Sequence, residues 1–277
     1  MPFIMLATLI DMVAIGLIIP VLPALVGSFP GSHADQALWH GVLTLAVVTT
    51  NLDTAGANDG DTSSIAALNA NMGTDGLISL REAITAANNT AGTDTIRFNI
   101  TAALVGGVHS ITLAYDGADA GTTPDALPTI ASPVVINGWT EPDYTGTPVI
   151  ELNGNNVIGG VRGLVLVAGS DGSTIRGLTI NRFSGTGIDI SGSSNQTIQG
   201  NWIGLNAAGS SAAGNGGKGI YASNSSGHLI GGTTAATRNV ISGNAEQGSY
   251  FDNVDNITIL GNYVGTNAAG TGEVGGT

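Results

Sequence analysis

The chain has 277 residues, of which 10% are charged and 5% aromatic, with 43 glycines, no cysteine and a net charge of −13. Only seven Lys and Arg are available to neutralise phosphates, which argues against nucleic acid as a partner, and the lack of cysteine removes disulfides, thiolate metal sites and thiol nucleophiles together. Low charge with abundant Gly, Asn, Thr, Ile and Val favours many short strands joined by tight turns over a helical enzyme or a disordered tail.

Residues 3–26 form an apolar run broken by a single charge, Asp11. At ~1.5 Å per residue the run is long enough to cross the ~30 Å hydrocarbon core, and its branched residues outweigh the cost of one central Asp. The expectation is a membrane span and a single-pass anchor, with a cleaved signal peptide as the alternative. No Lys or Arg occurs before Arg81, so charge gives no orientation. The arrangement of Asp11, Gly16, Pro20 and Pro23, followed by the phrase from His33 to Ala46, resembles the first transmembrane helix and next loop of tetracycline-efflux-type major facilitator transporters. The resemblance implies packing and gating roles for Asp11, Gly16 and Pro20, but it stops near residue 46. An alternating-access transporter needs two multi-helix halves, and no second long apolar run follows. Residues 1–46 are therefore expected to be an anchor or the non-functional remnant of a transporter, with a gene fusion near Thr44–Val47 as one origin.

Residues 47–100 read as a separate module. Asp53, Asn58, Asp59 and Asp61 make an oxygen-rich loop that offers ligands to Ca2+; it lacks the terminal bidentate Glu of an EF-hand, and a solvated turn is the other reading. Ser79 followed by Glu82 predicts a capping box opening a helix that ends at Asn88, with a strand over Thr95–Ile100. The stretch Asp75–Ile84 resembles the C-S-L-R-E-A module of bacterial surface proteins, with Ile78 where that family has cysteine. The resemblance implies a cap over the first coil of a solenoid. Arg81 and Glu82 read as a surface or capping salt-bridge pair, with a catalytic role as the alternative.

Residues 101–277 carry the repeats. The phrase at 200–209 returns at 261–270, and Gly163, Gly187, Gly219 and Gly248 mark coil starts 24, 32 and 29 residues apart. Such a period indicates a solenoid. Ile175, Ile198, Ile230 and Ile259 share one motif position and are expected to stack inside it, while Asn201 and Asn262 are expected to form an amide ladder along the axis. Strands are expected at Pro133–Gly138 and Pro148–Gly154, and alternation over Gly187–Ile190 predicts every second side chain inward. These features resemble the right-handed parallel β-helix of pectate-lyase-like folds and bacterial adhesins. The fold class is thus all-β: a β-helix with an N-terminal cap helix, preceded by one transmembrane-like helix, and expected to be cut short at its C-terminus.

Glycosidases and lyases on such a fold need converging carboxylates, or an acidic calcium cluster beside a basic side chain. Asp189 and Asp252 fall on related strands but two coils apart and offset by two residues, and Asp252 with Asp255 reads as a solvated turn. Arg162, Arg176, Arg182 and Arg238 offer a grip for an anionic glycan. No catalytic residue and no cofactor beyond that Ca2+ is assigned. The expectation is a structural or adhesive module of the bacterial cell surface or envelope, anchored or secreted, that contacts glycan or protein; a carbohydrate-active β-helix enzyme is the alternative.

Overall fold

The computed structural model describes residues 44–54, 57–113, 126–157 and 159–275. The expected membrane span at 3–26, with Asp11, Gly16 and Pro20, lies outside them. Among the described residues no helix is long and apolar enough to cross a membrane. The described chain from Thr44 onward forms one unit.

Its strands fall into three sheets, all paired in parallel. The first sheet stacks β1 (Leu45–Val48), β2 (Asp94–Phe98), β4 (Val134–Asn137), β7 (Thr174–Arg176), β10 (Thr197–Gln199), β13 (Leu229–Gly231) and β16 (Thr258–Leu260). The second stacks β3 (His109–Thr112), β5 (Ile150–Asn153), β8 (Leu178–Asn181), β11 (Trp202–Ile203), β14 (Val240–Ile241) and β17 (Tyr263–Val264). The third stacks β6 (Leu164–Val167), β9 (Ile188–Ser191), β12 (Ile220–Ser226) and β15 (Ser249–Asp255). From β6 onward the chain visits the third, first and second sheets in turn and then repeats, so each circuit adds one rung to every sheet. That is a parallel β-helix. The strands predicted at Pro133–Gly138 and Pro148–Gly154 are β4 and β5.

Each strand turns alternate side chains inward, because the β period is two. The expected isoleucine column is in register: Ile175 pairs with Ile198, Ile198 with Ile230, and Ile230 with Ile259. It extends backward through Ile136 and Ile96 to Ala46. A second column in the second sheet runs Ile111, Leu152, Ile180, Ile203, Ile241 and Val264. Each buried Ile or Leu stabilises by roughly 1.5–3 kcal/mol, so these columns dominate the cohesion. Ile259 and Val264 are the exceptions, 50% and 59% exposed. They lie on the edge strands β16 and β17, against which no further strand pairs among the described residues.

The coil-start glycines also stack. A Cβ on Gly163 would lie 2.4 Å from the carbonyl oxygen of Gly187, one on Gly187 2.8 Å from that of Gly219, and one on Gly219 2.4 Å from that of Gly248. Any side chain there would hold the rungs apart. The longest spacing, 32 residues, has a local cause. The repeated phrase forms an antiparallel excursion, bridged Leu205 to Ala212 in one coil and Thr266 to Glu273 two coils later. The coil between them lacks it.

The asparagine ladder is present with a middle rung the repeat phrase does not show. Asn201 donates from its backbone N and its Nδ2 to Asn239 Oδ1 at 3.0 and 3.2 Å, and Asn239 donates likewise to Asn262 Oδ1 at 3.1 and 3.0 Å. Asn215 and Asn244 form a second ladder, with Nδ2 to Oδ1 at 2.9 Å.

At the N-terminal end, α1 (Ile65–Ala70) and α2 (Leu80–Asn88) bury Ile65, Leu68, Leu80 and Ile84 in the same core as Ala46, Val48 and Ile96. The predicted capping box is complete: Ser79 Oγ accepts from Glu82 N at 3.1 Å and Glu82 Oε2 accepts from Ser79 N at 2.8 Å. Leu45 and Ala46, read with the transporter-like phrase, instead begin β1 and pair with β2. The β-branched Val47–Val48 and the alternating burial of Leu45–Val48 account for the strand. The strand expected over Thr95–Ile100 runs Asp94–Phe98.

Candidate functional site: an aromatic and charged face on the third sheet

With Ile188, Ile190, Ile220 and Ala222 turned inward, the residues between them form outward columns. One runs Val165, Asp189, Tyr221, Tyr250 and the next Val167, Ser191, Ser223, Asp252. Rungs in a sheet are about 4.8 Å apart, so like side chains in one column touch. The rings of Tyr221 and Tyr250 stack with centroids 5.9 Å apart and planes 16° from parallel. Lys218, just ahead of β12, holds its ammonium 5.7 and 5.4 Å from the two ring centroids and pairs with Glu246. Arg162, ahead of β6, pairs with Asp189 at 3.2 Å.

The electrostatics of this face follow from its packing. Burial pushes the Asp189 carboxyl up, with Arg162 and Lys218 pulling it back down. The hydrogen bond to Glu246 pushes the Lys218 ammonium up, with burial opposing. Tyr250 is 44% exposed. The face therefore offers a ring stack, a cation and several acceptors on a four-stranded parallel sheet. The two tyrosines were missed in the repeats, although each stands two residues after a coil-start glycine, as Asp189 does.

Asp53 Oδ2 pairs with Arg81 at 2.7 Å, and Asn58 Oδ1 accepts from Ser79 Oγ at 2.6 Å. Asp59 Oδ2 accepts from Thr74 N at 3.0 Å, and Asp61 Oδ1 from Ser63 N at 3.0 Å. Hydrogen bonds from Thr74 and Ser63 hold the Asp59 and Asp61 carboxyls below the usual range. The three carboxylates of this loop do not gather into one cluster of ligand atoms within 4.8 Å.

The four arginines do not form one grip. Arg162 pairs with Asp189, Arg182 with Glu151 at 3.1 Å, and Arg176 and Arg238 lie over the rings of Trp139 and Tyr263 at 4.6 and 4.0 Å. Asp189 and Asp252 stand in neighbouring columns two rungs apart, as expected, so they do not converge. Asp252 and Asp255 are not a turn. Pairing of β12 with β15 continues to Ser226 and Asp255, across Asn224 and Asn253, both at positive φ and bonded Nδ2 to Oδ1 at 2.9 Å.

One metal-ligating trio was missed. His109, Glu141 and Asp143 bring one ligand atom each to within 4.8 Å of one another. They come from β3 and from the turn after the 3-10 segment Gly138–Thr140; Glu141 and Asp143 are two residues apart, and His109 lies far from both in sequence. Glu141 Oε2 accepts from Ile100 N at 3.0 Å, and burial pushes the Glu141 carboxyl up.

Residues 144–224, less than a third of the chain, match the family described as periplasmic copper-binding protein (NosD). No curated protein matches the chain. The matched residues run from just before β5 into β12, so the similarity covers rungs of the solenoid. Copper is held by imidazole, thiolate and thioether, and 144–224 contain no His, Cys or Met. The donor set of that segment does not fit copper.

Proposed function

We propose that the chain is a non-catalytic β-helix module of the bacterial cell envelope that contacts glycan through the outward face of the third sheet. The carrying observation is the Tyr221–Tyr250 stack with Lys218 across both rings and Asp189, Arg162 and Glu246 beside it. Exposed aromatic rings present an apolar surface to a sugar while adjacent polar tips take its hydroxyls, and a face that does not rearrange loses little entropy on binding. The similarity to a family of periplasmic proteins supports the envelope, and the apolar run at 3–26 supports an anchor. In this reading α1 and α2 cap the first rung, and the helix is right-handed, as parallel β crossovers are.

Binding to a glycan array, repeated with Tyr250→Ala, tests the proposal. Retention of a glycan by the parent and at least tenfold weaker retention by the variant is expected. Failure of the parent to bind any glycan, or equal binding by both, would overturn it.

A second reading, β-elimination on an acidic polysaccharide, is favoured by one observation: Lys218 and Tyr221 share the face with Arg162. A lysine base must be neutral near working pH, and Glu246 holds Lys218 charged. Release of unsaturated uronate ends from pectate or alginate would establish this reading over the first.

A further inference from the structure

We infer that His109, Glu141 and Asp143 form a binding site for a divalent transition ion of the Zn2+ class, outside the family-matched segment and apart from the tyrosine face. His109 Nε2 lies 3.3 Å from Asp143 Oδ2 and 3.7 Å from Glu141 Oε1. The contact to Asp143 is a hydrogen bond, but a longer one than the about 2.7–2.9 Å of charge-assisted N–H to carboxylate bonds, and the contact to Glu141 is longer still. Ligands held at about 2.0–2.2 Å around a tetrahedral ion lie about 3.3–3.6 Å from each other; the Asp143 separation falls in that range and the Glu141 separation just beyond it. The imidazole Nε2 faces both carboxylates, hydrogen-bonded to Asp143 Oδ2 and 3.7 Å from Glu141 Oε1.

The surroundings suit an ion as well. The His109 side chain is fully buried and its Nδ1 has no hydrogen-bond partner, so the ring is not held there by a structural bond. Glu141 is fixed by its second oxygen on Ile100 N, which leaves Oε1 toward the imidazole. The Asp143 side chain is 51% exposed and leaves the site open to water on one side. Three protein ligands with an open fourth position are a common zinc arrangement. Two carboxylates and one imidazole form a harder set than a copper site would use, and no thiol competes. The Nδ1–H that metal binding requires finds no acceptor, and loss of such an outer partner weakens affinity about 10–100-fold. The ion is therefore exchangeable rather than permanently loaded.

The test is titration of the purified full-length chain with ZnCl2 after EDTA treatment, followed by calorimetry and by long-range 1H–15N correlation of the imidazole nitrogens. The expected result is one saturable site, a shift of the His109 Nε2 resonance on loading, and at least tenfold weaker binding in Asp143→Asn. That position is half open to solvent, so the variant should melt with the parent in EDTA. His109→Gln should abolish the site, and Asp255→Asn, on the third sheet, should leave it intact. Absence of saturable uptake, an unmoved His109 resonance, or undiminished binding by Asp143→Asn would each overturn the inference; zinc held only through the N-terminal His33 and His40 gives the last two results.

Discussion

Asp94 lies on the inward face of β2 with Ile96 and Phe98, and it is completely buried. Burial raises its carboxyl from 3.8 to about 6, with a hydrogen bond from Thr44 opposing. Below the lower value the group is protonated in both folded and unfolded chains and contributes no pH dependence. Between the two values the folded chain retains a proton that the unfolded chain has released, so stability falls as pH rises. At about 1.4 kcal/mol per unit, the rise to about 6 corresponds to roughly 3 kcal/mol, fully lost above the folded value. Asp94→Asn removes the charge and nearly preserves shape. Urea unfolding of parent and variant should give coincident midpoints near pH ~3 and a variant more stable by up to about 3 kcal/mol near pH ~7.5. A difference between the two proteins that is the same at both pH values would refute the reasoning, because only a group titrating in the core makes the gap open with pH.

Gly219→Ala should destabilise by about 1–3 kcal/mol or more, read from the urea midpoint, since the added methyl meets the Gly248 carbonyl. Asn239→Ala removes the middle rung of the ladder and strands the buried Asn201 N–H, at a cost of about 1–3 kcal/mol by the same assay. Ser79→Ala breaks the capping box of α2 and should cost about 0.5–2 kcal/mol, lowering the melting temperature. Tyr250→Ala should weaken glycan retention while leaving the melting temperature close to that of the parent, because its ring packs only at the surface.

Features that repeat in sequence were legible, because a solenoid places each repeat beside its copy. Ile175, Ile198, Ile230 and Ile259 lie in one column, and Gly163, Gly187, Gly219 and Gly248 in another, at the expected positions. The capping box was legible because it is local to Ser79–Glu82. Asn239 was not: Arg238 precedes it where Gly200 and Gly261 precede the other two, and its coil has no excursion to repeat the phrase. His109, Glu141 and Asp143 escaped for another reason. They meet across neighbouring coils whose lengths are irregular, so no fixed spacing marks them. In the oxygen-rich loop at 53–61 the carboxylates accept from Arg81, Thr74 and Ser63 nearby, partners that its composition alone does not reveal. At Leu45 and Ala46 an apolar phrase carried no period long enough to separate a helix start from a short strand.

Because each circuit of the chain leans only on the circuits above and below it, cohesion accumulates as a sum of nearest-neighbour terms along one axis. The half-exposed Ile259 shows the price of a missing neighbour. Opening should therefore travel as a fray from the outermost turn inward, and excising one whole circuit, such as 188–219, should shorten the column while leaving the remaining seams aligned.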